Sequence, residues 1–341
     1  MSGSAPGEAI AVLGAGSWGT ALAIQFARSG RPALLWGRAE DDPAGMEQAR
    51  QNARYLPGAK FPPSLHAEAD LDKVLAAAPI VVVAVPSHAF RAVLTQMRPL
   101  MRPGTRLAWA TKGFELETGK LPHQVAREVL GSGTAMAVLS GPTFAREVGM
   151  GLPTAMTIAA NDEDYARQLA ENLSGESFRA YMSSDIVGVE VGGAVKNVLA
   201  IGAGICDGLG FGANTRVALI TRGLVEMTRL GVALGAQPAT FMGLAGMGDL
   251  VLTCTDDQSR NRRMGLALAA GKTVQEAERE IQQVVEGVLA AEAVHRVAAR
   301  AGVEMPICEQ IYRILYEGAE PKEAVVALMK RELKSEFAPG G

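Results

Sequence analysis

The rhythm of apolar and polar residues changes near the middle of the chain. In the first half, short apolar runs recur at residues 10–13, 33–36, 80–85, 106–110, 135–139, 154–159 and 178–182, and each reads as a strand. The run IVVVAV at 80–85 is apolar and mostly β-branched, as a strand of a parallel sheet buried on both faces requires. Between the runs, helical spacing covers residues 20–28, 87–97 and 164–173, and Ser87 stands where a hydroxyl could cap the second of these helices. After Ser183 the strand rhythm stops. Helical periodicity then continues over 185–329, broken at the glycine-rich stretches 208–212 and 243–248. The pattern predicts an α/β chain: a Rossmann-type, mostly parallel sheet over residues 8–184 and an all-α domain over 185–330. Residues 1–7 are expected to be disordered, and 331–341 to form a tail.

The first run is followed at once by Gly14-Ala15-Gly16-Ser17-Trp18-Gly19 and then by a helical pattern. This is G-x-G-x-x-G with a strand before it and a helix after it, the setting in which the spacing has a mechanism. Gly14 permits the tight turn, Gly16 lets the backbone approach a pyrophosphate, and Gly19 lets helix and strand pack closely. The pyrophosphate then meets the positive end of the helix dipole. The second strand ends in Gly37-Arg38, where an NAD-specific protein commonly carries an acid for the ribose hydroxyls. An arginine there suits a 2′-phosphate, so NADP is expected to be accepted alongside NAD. Lys112 leaves the C-terminal end of the 106–110 strand, the edge at which such sheets bind ligands, and is therefore an anion-contact candidate.

A second feature lies in the helical half. Residues 187–216 are small and apolar almost throughout, yet they carry Lys196 followed by Asn197. On a helix, the lysine's own face holds Gly192, Gly193 and Ala200. Two adjacent glycines inside a helix cost about 0.5–1 kcal/mol each relative to alanine, so something must approach that face closely: another backbone, or a ligand. An ammonium held in such a place is partly desolvated, which lowers its pKa and suits it to acid–base chemistry. The plain alternative is a lysine whose stem snorkels out of a buried helix. A membrane span is disfavoured because Glu190, Lys196 and Asn197 interrupt the run. Further along, Asp249 sits in the glycine-rich bend LAGMGDL and is a natural partner for Lys196. Ser259, Arg260 and Asn261 open another helix, where main-chain N–H groups, a hydroxyl and a guanidinium can together receive a phosphate.

Composition narrows the field. The chain has 341 residues, enough for two cores, with a hydrophobic fraction of 48% and a net charge of −3. No basic block points to nucleic acid. Three well-separated cysteines and four histidines without ligand spacing argue against a metal site and a disulfide framework, and fit a reducing cytoplasm.

The segments GAGSWGTALA, ATKGFE, LSGPTFAREV, VGGAVKNVLAIGAGICDGLGFGANTRVALITRG, GLAGMGDLVLTC, SRNRRMG and VVEGV, in this order, resemble the bacterial NAD(P)-dependent glycerol-3-phosphate dehydrogenases. The resemblance covers nearly the whole chain. It implies reversible reduction of dihydroxyacetone phosphate to sn-glycerol 3-phosphate, supplying phospholipid synthesis, by a cytoplasmic homodimer. Carried over by motif, Ser17, Trp18, Arg38, Tyr55, Lys112, Ala145, Arg260, Val284 and Glu286 are implied cofactor contacts. Lys112, Gly141, Thr143, Lys196, Asp249, Ser259, Arg260 and Asn261 are implied substrate contacts, with Lys196 as proton donor and acceptor. Two rivals stay open: a dehydrogenase of similar architecture acting on a β-hydroxy acid or 6-phosphogluconate, and a dinucleotide-binding sensor without turnover.

Overall fold

A computed structural model describes residues 8–332. The stretch 1–7 expected to be disordered, and all of the expected tail except Arg331 and Glu332, lie outside the described residues. Eight strands form one sheet: β1 (Ile10–Leu13), β2 (Ala33–Trp36), β3 (Leu65–Glu68), β4 (Ile80–Val83), β5 (Arg106–Trp109), β6 (Met136–Ser140), β7 (Thr154–Ala160) and β8 (Phe178–Ser183). Their order is β3-β2-β1-β4-β5-β6-β7-β8. Every pairing is parallel except β6 with β7. The register aligns Leu13 with Trp36 and Val83, and Val83 with Trp109. The glycine turn after β1, Arg38 after β2 and Lys112 after β5 therefore leave the sheet along one edge.

Seven helices belong to this half: α1 (Ser17–Arg28), α2 (Pro43–Ala49), α3 (Leu71–Ala77), α4 (Ser87–Met97), α5 (Pro122–Leu130), α6 (Ala145–Met150) and α7 (Glu163–Leu173). The inner strands are buried on both faces, so their side chains divide by parity. Ile10 and Val12 join α1 and α7 on one side of the sheet, while Ala11 and Leu13 join α3, α4 and α5 on the other.

The second half holds α8 (Ile186–Gly208), α9 (Gly212–Ala233), α10 (Pro238–Phe241), α11 (Asp249–Thr255), α12 (Arg260–Ala269), α13 (Val274–Ile281), α14 (Glu286–Ala301), α15 (Pro306–Tyr316) and α16 (Pro321–Met329). Helix α8 is the axis of this half, in contact with α9, α11, α12, α14 and α15. It is long and apolar enough to cross a membrane, but it is buried along almost its whole length within the protein. The halves share side chains: Ile186, Val189 and Ala245 pack into the sheet's second layer, and Phe114 and Leu121 pack into the helical core.

Several boundaries differ from the sequence reading. Strand β4 stops at Val83, because Ala84 and Val85 form the wall against which Gly14 turns. Ser87 does not cap α4: extended Pro86 occupies the cap position, makes no side-chain bond there, and Ser87 is already helical. Helix α1 begins at Ser17, inside the glycine fingerprint and three residues ahead of the expected start. Residues 244–248 form a single π-helical turn leading directly into α11.

Helices α8 and α12 touch through glycine. A side chain on Gly265 would collide with the Ile201 carbonyl, and one on Gly204 with the Arg262 carbonyl. Gly265→Ala is therefore expected to force the helices apart and destabilise the protein by about 1–3 kcal/mol, the usual range for overpacking. Gly133→Ala, at an exposed site with no atom near the added carbon, is the control. Urea midpoints check this, and equal midpoints for the two variants would disprove close backbone contact.

Candidate active site

The glycine turn has the shape that its spacing implies. Gly14 has φ +116°, and a Cβ there would lie 2.6 Å from the Ala84 carbonyl oxygen. A Cβ on Gly16 would meet no atom within 4 Å, whereas one on Gly19 would collide with the Gly14 carbonyl. The turn is thus filled behind and open in front, at the N-terminus of α1, a shape with room for an anionic group such as a pyrophosphate. Ser17 Oγ donates to the Tyr55 carbonyl at 2.6 Å. The Tyr55 segment is pinned by Asn52, whose amide donates to the Ala15 carbonyl (2.8 Å) and to Thr20 Oγ1 (2.9 Å) and accepts the Tyr55 N–H (3.1 Å). The buried Trp18 Nε1 has no hydrogen-bond partner among the described residues. Arg38 is exposed at the end of β2 and pairs with Glu40 at 2.9 Å, while its N–H donates to Asp41 Oδ2.

Facing this edge of the sheet is a buried carboxylate between two ammonium groups. Lys196 Nζ lies 2.5 Å from Asp249 Oδ1, and Lys112 Nζ lies 2.7 Å from Asp249 Oδ2. Lys196 also donates to Thr253 Oγ1 at 3.0 Å, and that hydroxyl donates to the Asp249 carbonyl at 2.6 Å. The residues come from three places: Lys112 from the loop after β5, Lys196 from mid-α8, and Asp249 and Thr253 one turn apart on α11. The two glycines on the lysine's face have separate reasons. A Cβ on Gly192 would come within 2.5 Å of the Ala245 carbonyl in the π turn, and one on Gly193 within 3.3 Å of both the Lys112 stem and Ser140 Oγ. Protein backbone and the second lysine fill that face.

Charge follows from this packing. Burial pulls the Lys196 pKa down, with Asp249 opposing and Lys112 assisting, to about 8. Burial also works against charge on Asp249, but Lys112 and Lys196 overcome it and hold the carboxyl below its usual range. The cluster carries a net positive charge when both lysines are protonated, so it attracts an electron-rich oxygen.

Next to it, Ser259 caps α12 by accepting the Arg262 N–H at 3.2 Å. The N–H groups of Arg260 and Asn261, in the first turn of that helix, are left to face an acceptor from outside it. The Asn261 side chain is spent inward: its Nδ2 donates to Asn197 Oδ1 and its Oδ1 accepts the Gly287 N–H, both at 2.9 Å. This chain ties α8, α12 and α14 together, so Asn261 has its main-chain N–H, rather than its carbonyl oxygen, to offer a ligand. The same bond holds Asn197 back from Lys196. Burial lowers the Arg260 pKa and Glu286 opposes it, but among the described residues Arg260 makes no hydrogen bond or ion pair of its own. Burial raises the Glu286 pKa against Arg260, Lys112 and Lys196. The candidates on the remaining loops are less pointed. Thr143 Oγ1 donates to the Gly141 carbonyl, Gly141 is pressed against Met156, Ala145 starts α6, and Val284 is exposed.

Residues 9–166 match the description NAD-dependent glycerol-3-phosphate dehydrogenase N-terminus, and residues 185–326 match the corresponding C-terminus. The chain belongs to the NAD-dependent glycerol-3-phosphate dehydrogenase family. It is 59% identical to glycerol-3-phosphate dehydrogenase [NAD(P)+] of Aeromonas hydrophila over 96% of this chain and 98% of that one. Among solved structures it is similar to the Coxiella burnetii glycerol-3-phosphate dehydrogenase, with 48% identity, a TM-score of 0.92, and coverage of 95% and 99% of the two chains. The Saccharomyces cerevisiae enzyme of that name gives 26% identity and a TM-score of 0.82, covering 96% and 100%.

Within this family framework, two polar groups at the site went unread in the sequence. Thr253 stands four residues after Asp249, so its hydroxyl shares a helix face with that carboxylate; this spacing was the available signal. Ser140 Oγ is buried, has no partner among the described residues and lies beside the Lys112 stem; nothing in LSGP marks it. Asp249→Asn removes the carboxylate from between two ammonium groups and is expected to destabilise the protein by about 3–5 kcal/mol at neutral pH. The loss should shrink as pH rises. Folded Lys196 already releases its proton near 8 rather than 10.5, so the unfolded chain binds more protons between those values and stability rises with pH there. Without Asp249 the folded value falls further, and the window opens lower. Urea midpoints of variant and wild type between about pH 6 and 9 test this: the gap should narrow up to about 8 and level off above it, and a gap independent of pH below that value would contradict it.

Proposed function

We propose that the chain reduces dihydroxyacetone phosphate reversibly to sn-glycerol 3-phosphate with NADPH or NADH, for glycerophospholipid synthesis. The single observation that carries the chemistry is Lys196: a buried ammonium with a lowered pKa, two of its protons already directed to Asp249 and Thr253. The open glycine turn, together with Trp18 Nε1 and Arg260, which have no hydrogen-bond partner among the described residues, fits a dinucleotide, which supplies the hydride when bound. We assign the dinucleotide mainly to residues 8–184, held by the turn at Gly14, Gly16 and Gly19 and by Ser17, Trp18, Arg38, Tyr55 and Ala145, with Val284 and Glu286 added from the helical half. The substrate is assigned to residues 185–330 together with Lys112, Gly141 and Thr143.

In this reading Lys196 donates its third proton to the ketone oxygen as negative charge develops there, and recovers it in the reverse direction. Its charge stabilises that oxygen before the proton moves. Asp249 orients both lysines, and the spare protons of Lys112 hold the same end of the substrate. Arg260, the Ser259 hydroxyl and the N–H groups at the start of α12 grip the phosphate, which is the part of the molecule that does not react. Three free, buried cysteines suit a reducing cytoplasm, and we place the protein there as a homodimer. The direct test is loss of nicotinamide absorbance with NADPH and dihydroxyacetone phosphate. Turnover of a β-hydroxy acid instead, or cofactor binding without any turnover, would replace this reading by one of its rivals.

Two variants examine the parts. Lys196→Met should keep dinucleotide affinity and lower kcat by roughly 10²–10⁴, the range for a lost general acid. In the wild type, ketone reduction needs protonated Lys196, so kcat/KM should fall as pH rises through about 8. Retention of a tenth of wild-type kcat by the variant would remove Lys196 from the role. Arg260→Ala should cost kcat/KM roughly ten- to a hundred-fold, as for a charge-assisted hydrogen bond worth about 1.5–3 kcal/mol. At saturating NADPH the loss should be confined to the phosphorylated ketone. An equal loss with unphosphorylated dihydroxyacetone would reassign Arg260 to the cofactor or the fold.

A further inference from the structure

A second buried carboxylate sits behind the lysine cluster and takes no part in the chemistry above. Glu190 is 3% exposed, on α8. Its Oε1 accepts from Trp109 Nε1 at 3.1 Å and from the His123 N–H at 2.8 Å, and its Oε2 lies 2.5 Å from His123 Nδ1. Trp109 is the last residue of β5 and fully buried, with its ring edge-to-face against Phe90. His123 is in the first turn of α5, where main-chain N–H groups seek an acceptor. Three nitrogens from two elements of the sheet half, two of them donors, thus converge on one side chain of the helical half.

The position of this junction matters because of what lies just beyond it. Trp109 precedes Lys112 by three residues, and Glu190 precedes Lys196 by less than two helical turns along a rigid helix. Lys112 and Lys196 must reach opposite oxygens of the one Asp249 carboxylate, and they come from the two elements that Glu190 joins. Apolar packing between α8 and the sheet tolerates small slides. A carboxylate bound in fixed directions by an indole, a ring nitrogen and a main-chain N–H does not. Burial raises the Glu190 pKa and His123 opposes this most strongly, so the pair is held by a short shared hydrogen bond whichever partner carries the proton.

We propose that Glu190 is a positioning residue for ketone reduction: anchored to Trp109 and His123, it fixes the offset between the β5 loop and α8 and so places Lys112 and Lys196 correctly about Asp249. The inference rests on the function proposed above. Misplacement of a catalytic group by about 1 Å can cost as much as 10²-fold in rate.

The test compares Glu190→Ala and Glu190→Gln in the full-length protein, at a temperature where circular dichroism shows each to be folded. Wild-type turnover of dihydroxyacetone phosphate reports on the functional reading, and only the differences among variants report on Glu190. Glu190→Ala should lose roughly ten- to a hundred-fold in kcat, while its dissociation constant for NADPH stays within about twofold, since the glycine turn is not attached to this junction. Glu190→Gln keeps an acceptor for Trp109 and the His123 N–H, and its amide can donate to a neutral ring nitrogen, so it should recover most of the lost kcat. A purely structural role would lower the unfolding midpoint and leave kcat of the folded fraction unchanged, and that result would overturn the proposal. So would a glutamine variant as slow as the alanine one. If Glu190→Ala does not fold, Trp109→Phe removes one of the three nitrogen partners and keeps a ring in place. A several-fold loss of kcat at unchanged NADPH affinity is then expected, and wild-type kcat would refute the assignment.

Discussion

One carboxylate, Asp249, lies beneath two ammonium groups that reach it from different layers of the fold. Taking three charges out of water is costly, and their mutual attraction offsets that cost only when geometry is good and the remaining protons are directed. That requirement explains much of the surrounding architecture. Gly192 gives way to the π turn that delivers Asp249, Gly193 to the stem of Lys112, and Thr253 takes the proton of Lys196 that would otherwise be unsatisfied. The excess positive charge left at the centre is what a developing alkoxide would meet.

The fixed framework around this centre is built from small residues. Helices α8 and α12 approach through Gly204 and Gly265, and Asn197, Asn261 and Gly287 link α8, α12 and α14 by consecutive hydrogen bonds. The lysine and the start of α12 therefore belong to one hydrogen-bonded piece. In the functional reading, the distance between the reacting carbon and the phosphate is then measured against a template that does not flex, and a longer or shorter phosphorylated ketone would be misaligned at one end.

Much of this was legible in the sequence, for reasons that can be named. The dinucleotide turn could be read because its three glycines answer three separate steric demands at fixed offsets. Lys196 stood out because a charge in an apolar, glycine-bearing helix is anomalous unless something closes over it. The short edge strand β3 was not legible: LHAE has only Leu65 fully buried and no apolar run. The failed cap at Ser87 shows a local preference overruled by Pro86 one residue earlier. The partnership of Glu190, Trp109 and His123 lies between residues far apart in sequence, and no local spacing encodes it. The inward turn of Asn261 has the same origin, since its partners come from two other helices.

Helix α8 has a further consequence for how the chain is made. Most of the helices that cover it, α9, α11, α12, α14 and α15, lie later in the sequence. As the polypeptide leaves the ribosome N-terminus first, this apolar segment therefore emerges before most of its cover, with the sheet as its early shelter. By length and composition it could pass for a membrane anchor. Lys196 distinguishes it from one, because a lysine near the middle of an inserting helix costs about 2.5–3.5 kcal/mol on the insertion scale. The buried lysine at the heart of the site thus also weighs against membrane insertion of this long apolar helix.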